Sequence, residues 1–133
     1  MSTEPKGDLE FMHVNPPNQS PPGSEIAVLT EKLLRFRDDR DWGQFHNPKD
    51  LAVALSVEAS ELLERYLWKA PSDADPAKVK EELADVFAYA LLLADRYGWN
   101  VTEIVTEKIA RNAEKYPIHK SKGSAKKYTE LGP

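Results

Sequence analysis

A chain of 133 residues is the size of one domain and can bury a hydrophobic core. Its net charge of −4 argues against a general nucleic-acid-binding protein, which would present a basic face to the phosphate backbone. The absence of cysteine excludes disulfides and thiolate metal sites. The sequence also lacks both a signal-peptide pattern and an apolar run of about 18 residues, so we expect a cytoplasmic protein with no membrane partner.

Residues 1–23 hold five of the ten prolines and show no hydrophobic period, which predicts a disordered leader. Ser24 then has the character of a helix N-cap, and the spacing of the apolar residues predicts a first helix running to about Asp39. The loop that follows contains Trp42, Phe45 and His46. Aromatic side chains in such a loop either cover the core or stack against a nucleobase, and the sequence leaves both interpretations open.

The second predicted helix begins at Asn47, followed by Pro48 at the first helical position, and should run to about Trp68. Glu58 projects into the middle of its apolar stripe, which is formed by Leu51, Leu55 and Leu62. A carboxylate in that environment is costly unless it is paired or bound to a metal. The opposite side of this helix is also apolar, so the helix is either buried within the domain or covered by a second subunit, and we expect a homo-oligomer.

The third predicted helix begins at Asp75, followed by Pro76, and ends before Gly98. Its predicted core face comprises Val79, Leu83, Val86, Phe87, Ala90, Ala94 and Tyr97. Glu82, Asp85 and Tyr89 project along one edge of that face. The helix therefore carries a second acidic pair spaced i, i+3.

The two acidic pairs, Glu58 with Glu61 and Glu82 with Asp85, would present four oxygen donors to one point if their helices face each other. None of these acids is followed by His at the third position, as carboxylate di-iron sites require. All-oxygen ligation instead indicates Mg²⁺, with Mn²⁺ as a substitute.

The fourth predicted helix opens with a capping box at Asn100–Glu103 and runs to about Lys115. Lys108 and Asn112 interrupt its apolar stripe one turn apart, which suggests an anionic partner. Residues 118–133 are rich in lysine and lack helical periodicity. They are either a solvated basic tail or a flap over a polyphosphate.

Four amphipathic helices with short loops and no strand signal predict an all-α protein, an antiparallel four-helix bundle assembled as a homo-oligomer. The predicted helical domain spans 24–117, between the leader and the basic tail. Carboxylates near a lysine and an asparagine suggest a nucleoside polyphosphate bound through Mg²⁺. Trp42, Trp68 and Tyr89 could enclose its base. There is no P-loop, so a conventional kinase or GTPase is not expected.

The ordered set of motifs resembles the all-α nucleoside triphosphate pyrophosphatases of the MazG-like superfamily, and most closely their dCTP-hydrolysing branch. The matching elements span roughly residues 25 to 131. They are Arg40-Asp-Trp42, Gln44-Phe-His46, Glu58-x-x-Glu61, Trp68-Lys69, Glu81-Glu-Leu-Ala-Asp85-Val with Tyr89, Lys108-x-x-x-Asn112-x-x-Lys115-Tyr116-Pro117 and Lys127-Tyr-Thr-Glu-Leu131.

The resemblance implies hydrolysis between the α and β phosphates of dCTP or a related dNTP, giving a monophosphate and pyrophosphate. It also implies a homodimer or homotetramer. A carboxylate not fully committed to the metal could serve as general base, and Glu61 is the candidate for that role. The implied Mg²⁺ ligands are Glu58, Glu61, Glu82 and Asp85. The implied substrate contacts are Trp42, His46, Trp68, Tyr89, Lys108 and Asn112.

Two alternatives remain open on the sequence. One is a noncatalytic helical interaction module whose acidic pairs are structural. The other is an enzyme of the same fold that acts on another substrate, such as dUTP or a phosphoribosyl-ATP.

Overall fold

The computed structural model describes residues 24–133, and the predicted leader at 1–23 lies outside them. This described part is helical and contains no strand, which confirms the all-α prediction. None of its helices combines the length and apolar character needed to cross a membrane. The helices are α1 (Glu25–Asp39), α2 (Pro48–Glu64), α3 (Pro76–Tyr97), α4 (Val101–Lys115) and the short α5 (Ile118–Ser121), with 3₁₀ turns at Trp42–Phe45, Pro71–Asp73 and Tyr128–Glu130.

The ends of the first three helices follow from local chemistry. The side chains of Ser24, Asn47 and Asp75 each accept a hydrogen bond from a backbone N–H two or three residues later, at 3.1, 2.9 and 3.0 Å. These are the N-caps predicted from the sequence. Gly98, with φ of 69°, adopts the left-handed conformation that ends α3.

The predicted end of the second helix was wrong, because α2 ends at Glu64 rather than near Trp68. The backbone N–H groups of Arg65 and Tyr66 donate to carbonyls three residues earlier, which tightens the last turn. Trp68 itself has φ of 63°, a left-handed conformation incompatible with an α-helix. Trp68 therefore lies in a turn beyond the helix.

The chain forms two compact units, one up to Asn100 and one at Val101–Pro133. In the first unit α2 packs along α3, and α1 also packs against α3. The end of α2 meets the beginning of α3, where Arg65 contacts Glu82. Before the start of α2, the ring of His46 lies 6.4 Å from that of Tyr89, further along α3. The two helices are therefore antiparallel.

The predicted core face of α3 was only partly correct. Ala94 is buried, together with Leu91 and Leu92, which were not predicted. Phe87, predicted as core, is 61% exposed, and Leu83 and Tyr97 are exposed as well. The helix is apolar around most of its circumference, so its periodicity does not indicate which side packs within the same chain.

The second unit contains α4, α5 and the last 3₁₀ turn. The ring of Tyr128 lies edge-on to that of Tyr116, with centroids 6.1 Å apart, and Lys115 Nζ is 4.9 Å from the Tyr128 centroid. The Lys120 ammonium donates a hydrogen bond to the Gly132 carbonyl. These aromatic and lysine contacts fold the segment back onto the end of α4, and its role as a solvated tail or as a flap stays a prediction.

Candidate functional site

Three of the four predicted metal ligands converge where α2 faces α3. Glu58 and Glu61 lie one turn apart on α2, and Glu82 lies in the second turn of α3. One carboxylate oxygen from each of the three lies within 4.8 Å of the others. Glu82 is only 7% exposed, and Glu58 and Glu61 are partly buried. The packing of the two helices thus assembles a cluster of three acids.

Asp85 follows Glu82 by one turn of α3 and is more exposed. It is not one of the three residues whose oxygens meet that distance limit. Its charge nevertheless contributes to raising the pKa of Glu58, and its side chain lines the neighbouring cavity. Asp85 therefore lies between the acid cluster and the cavity.

The environment of Glu58 disfavours its ionised form. Burial, a hydrogen bond with Glu61, and the charges of Glu61, Asp85 and Glu82 together raise the pKa of Glu58 to about 7. Its Oε2 atom is buried and has no hydrogen-bond partner among residues 24–133. Crowded carboxylates with an unpartnered buried oxygen are well suited to a hard divalent cation, whose ligands are oxygen atoms. The residues present therefore fit the predicted metal.

The sequence analysis missed Arg65, the cation that contacts this cluster. Its Nε and Nη2 atoms both donate to Oε1 of Glu82, at 3.1 and 2.5 Å. The position of Arg65 in the sequence could have indicated this contact. It lies seven residues after Glu58 and four after Glu61, and these spacings return to the same side of a helix.

A cavity of about 320 Å³ lies beside the acid cluster, between α1, α3 and the loop that joins α1 to α2. Its lining includes the side chains of Phe36, Arg37, Trp42, His46, Asp85 and Tyr89. Two of its aromatic pairs are edge-on, Phe36 with Trp42 at 5.7 Å and His46 with Tyr89 at 6.4 Å between ring centroids. Its wall thus combines four aromatic rings with the aliphatic side chains of Leu33, Ala88 and Leu92, and has charged groups at Arg37 and Asp85.

His46 presents a neutral ring in this cavity. Burial and the nearby charge of Arg37 lower the pKa of His46, so the imidazole is uncharged at neutral pH. Its Nδ1 atom is buried, and no residue in the described part of the chain forms a hydrogen bond with it. Arg37 is itself held by Asp38, with 2.8 Å between Nη2 and Oδ1. A polar group brought against this ring nitrogen would therefore supply the hydrogen bond that it lacks.

Residues 53–131, which include most of α2 and all of α3 and α4, match the MazG-like family. The chain belongs to this family. It is 40% identical over 118 residues to dCTP pyrophosphatase 1 of Mus musculus and 38% identical over 118 residues to that of Homo sapiens, covering 83% of this chain and 69% of each relative. A crystal structure of a pyrophosphatase from Archaeoglobus fulgidus has a TM-score of 0.66 and 40% identity, covering 71% of this chain and 94% of that one. The predicted family resemblance is confirmed.

Three predicted substrate contacts of this MazG-like protein are not among the residues that line the cavity. Trp68 follows α2 and is 100% exposed. Lys108 and Asn112 are exposed side chains of α4, in the unit Val101–Pro133. Their predicted roles therefore rest on the family resemblance and stay predictions.

The raised pKa of Glu58 predicts how stability depends on pH when no divalent cation is bound. In the folded protein this carboxyl keeps its proton up to about pH 7, against an ordinary pKa of 4.5. The folded state then binds more protons between these values, so the stability contributed by Glu58 is present at low pH and is lost as pH rises through 7. Glu58→Gln removes this loss, and in EDTA at about pH 8 we expect it to melt roughly 5 °C above the unsubstituted protein.

Thermal unfolding followed by circular dichroism, at about pH 5 and pH 8, measures this difference. The difference should shrink at the lower pH, where Glu58 is already protonated. Glu64→Gln, an exposed change on the same helix, is the control and should melt like the unsubstituted protein at both values. A difference for Glu58→Gln that does not change with pH would contradict the prediction.

Proposed function

We propose that this chain is a Mg²⁺-dependent nucleoside triphosphate pyrophosphatase that hydrolyses dCTP, or a related or modified dNTP, to the monophosphate and pyrophosphate. One observation carries the proposal, the cluster of Glu58, Glu61 and Glu82 beside an aromatic cavity. The relatives named dCTP pyrophosphatase 1 and the archaeal pyrophosphatase support the reaction class. The biological role that follows is the removal of such nucleotides from a cytoplasmic precursor pool.

In this proposal Glu58, Glu61, Glu82 and Asp85 hold the cation. Bound there, Mg²⁺ would neutralise charge on the phosphates and lower the pKa of a coordinated water. Glu61 is the proposed general base. Its carboxylate oxygen lies within 4.8 Å of those of Glu58 and Glu82. A carboxylate in that position could accept a proton from the attacking water.

The cavity is the proposed site for the base and sugar. Trp42 and Tyr89 provide aromatic surface against which a base can stack, and His46 offers an unpartnered ring nitrogen for a hydrogen bond. Because Asp85 lines the same cavity, a nucleotide bound there would have its phosphates near the acid cluster. By family resemblance, Trp68 would add to the base pocket, and Lys108 and Asn112 would contact the phosphates.

The assembly is also proposed rather than observed. The outer face of α2 carries Val53, Val57 and Leu63, each about half exposed in the single chain. Apolar side chains in such a row are usually covered in the functional protein. We propose that the four long helices form an antiparallel bundle and that two copies pair through this face, as a homodimer or as half of a homotetramer. Sedimentation equilibrium would measure the number of copies, and a monomer would contradict this part of the proposal.

The proposal is tested by incubating the purified protein with each dNTP in turn, with Mg²⁺ or with EDTA. We expect pyrophosphate and monophosphate in equal amounts from dCTP, and none in EDTA. Turnover of dUTP in preference to dCTP would indicate a same-fold enzyme of different specificity. If no nucleotide is hydrolysed and Mg²⁺ does not raise the melting temperature, the noncatalytic interaction module is favoured instead.

A further inference from the structure

Arg65 makes the closest polar contact to the acid cluster, and the mechanism above does not use it. It is the first residue after α2, where its backbone N–H closes the last turn by donating to Leu62 O. Its side chain crosses to α3 and binds Glu82, the most buried acid of the cluster. Arg65, at the end of the helix that carries Glu58 and Glu61, therefore holds the side chain of Glu82, the predicted metal ligand on α3.

The geometry of this contact distinguishes two roles for Arg65, competing with a cation for Glu82 and holding Glu82 in position. An arginine that competes with a cation for a carboxylate would span both oxygens with parallel hydrogen bonds. Here Nε and Nη2 both donate to Oε1 of Glu82. The guanidinium thus occupies one oxygen of Glu82, and neither bond is directed at Oε2.

The charges around Arg65 also argue against its acting as a substitute for the metal. Arg65 brings one positive charge to a site with four acidic side chains, those of Glu58, Glu61, Glu82 and Asp85. Acidic groups therefore remain in excess. A divalent cation is therefore compatible with the ion pair in place.

We propose that Arg65 is a positioning residue for the metal site, holding the Glu82 carboxylate by Oε1 so that its other oxygen is available to the cation. The proposal rests on the proposed function, because it assigns to Arg65 a role at that same site. A group that holds the carboxylate oxygen not bound to the metal sets the orientation of that carboxylate. Loss of such a group commonly weakens metal affinity 10- to 100-fold.

The test measures Mn²⁺ binding to the whole chain without nucleotide, by calorimetry and by the electron paramagnetic resonance of free Mn²⁺. Arg65→Met removes the ion pair and should raise the Kd about tenfold or more. Arg65→Lys keeps the charge and one hydrogen-bond donor but lacks the paired Nε and Nη2 donors of the guanidinium, and should give an intermediate Kd. The control is Arg96→Met, an exposed substitution about 21 Å along α3 from Glu82, which should leave the Kd unchanged.

A double-mutant cycle shows whether Arg65 acts through Glu82. In a Glu82→Gln background, Arg65→Met should change the Kd less than about twofold, because the carboxylate it positions is gone. An undiminished effect there would mean that Arg65 acts on the cation directly, and the positioning role would be discarded. Cooperative unfolding in EDTA establishes that each variant is folded.

The outcomes separate this inference from the proposed function. If the unsubstituted protein binds no Mn²⁺ and no Mg²⁺, the metal-dependent function fails. If it binds Mn²⁺ and Arg65→Met binds equally well or more tightly, only the positioning role of Arg65 fails, and tighter binding would identify Arg65 as a competitor of the cation.

Discussion

Glu58→Gln is expected to lower Mg²⁺-dependent turnover by roughly two to three orders of magnitude, the range seen when one group that stabilises transition-state charge is lost. Glu58 lies at the centre of the cluster, where burial and the charges of its neighbours raise its pKa to about 7. Glutamine keeps nearly the same shape and offers a neutral oxygen, so the site loses a charged ligand without losing a side chain. Initial rates with dCTP over a range of Mg²⁺ concentrations measure the effect.

Matched controls for this prediction come from acids on the same two helices. Glu64→Gln on α2 and Glu81→Gln on α3 make the same chemical change at exposed positions adjacent in sequence to the site. Both should retain most of the activity. If Glu58→Gln keeps rates like those of the controls, the cluster is structural and the proposed metal site is wrong. Recovery of its activity only at high Mg²⁺ would agree with loss of a ligand.

Features set by neighbouring residues were predictable from the sequence. Ser24, Asn47 and Asp75 cap helices with their own side chains, and Gly98 ends α3 because it reaches the left-handed conformation cheaply. Glu58 stood out because a carboxylate is costly within an apolar stripe, and the structure places it beside Glu61 and Glu82. Local rules and the cost of burial were sufficient for these positions.

Features set by tertiary contacts were not predictable in the same way. The spacing of Arg65 from Glu58 and Glu61 could indicate that it lies near the acid cluster, but its partner Glu82 is 17 positions away in sequence, on another helix, and no local pattern identifies that acid. Phe87 is apolar but 61% exposed, because it does not lie on the side of α3 that packs against α1 and α2. Trp68 follows a helix whose last turn tightens early, which no capping residue indicated. In each case the decisive neighbour is distant in sequence or has no local signature.

Trp42→Ala is expected to raise the KM for dCTP roughly tenfold to a hundredfold while changing kcat much less. Trp42 lines the cavity beside Phe36, and stacking of one base on an aromatic ring contributes about 1–3 kcal/mol. Loss of a contact that substrate and transition state share raises KM alone. Trp42→Phe retains a ring and should show a smaller increase. Steady-state kinetics at saturating Mg²⁺ separate KM from kcat.

Trp99→Ala is the matched control, because Trp99 is also about half exposed but stacks on Tyr97 at the far end of α3, with ring centroids 4.2 Å apart. Its KM should stay within about twofold of the unsubstituted value, the scatter expected for a change away from the site. Equal increases for Trp42→Ala and Trp99→Ala would mean that the cavity does not hold the base. Trp68→Ala tests the third tryptophan, which is fully exposed in the single chain. An increase in KM for this variant would mean that Trp68 contacts the substrate in the functional protein.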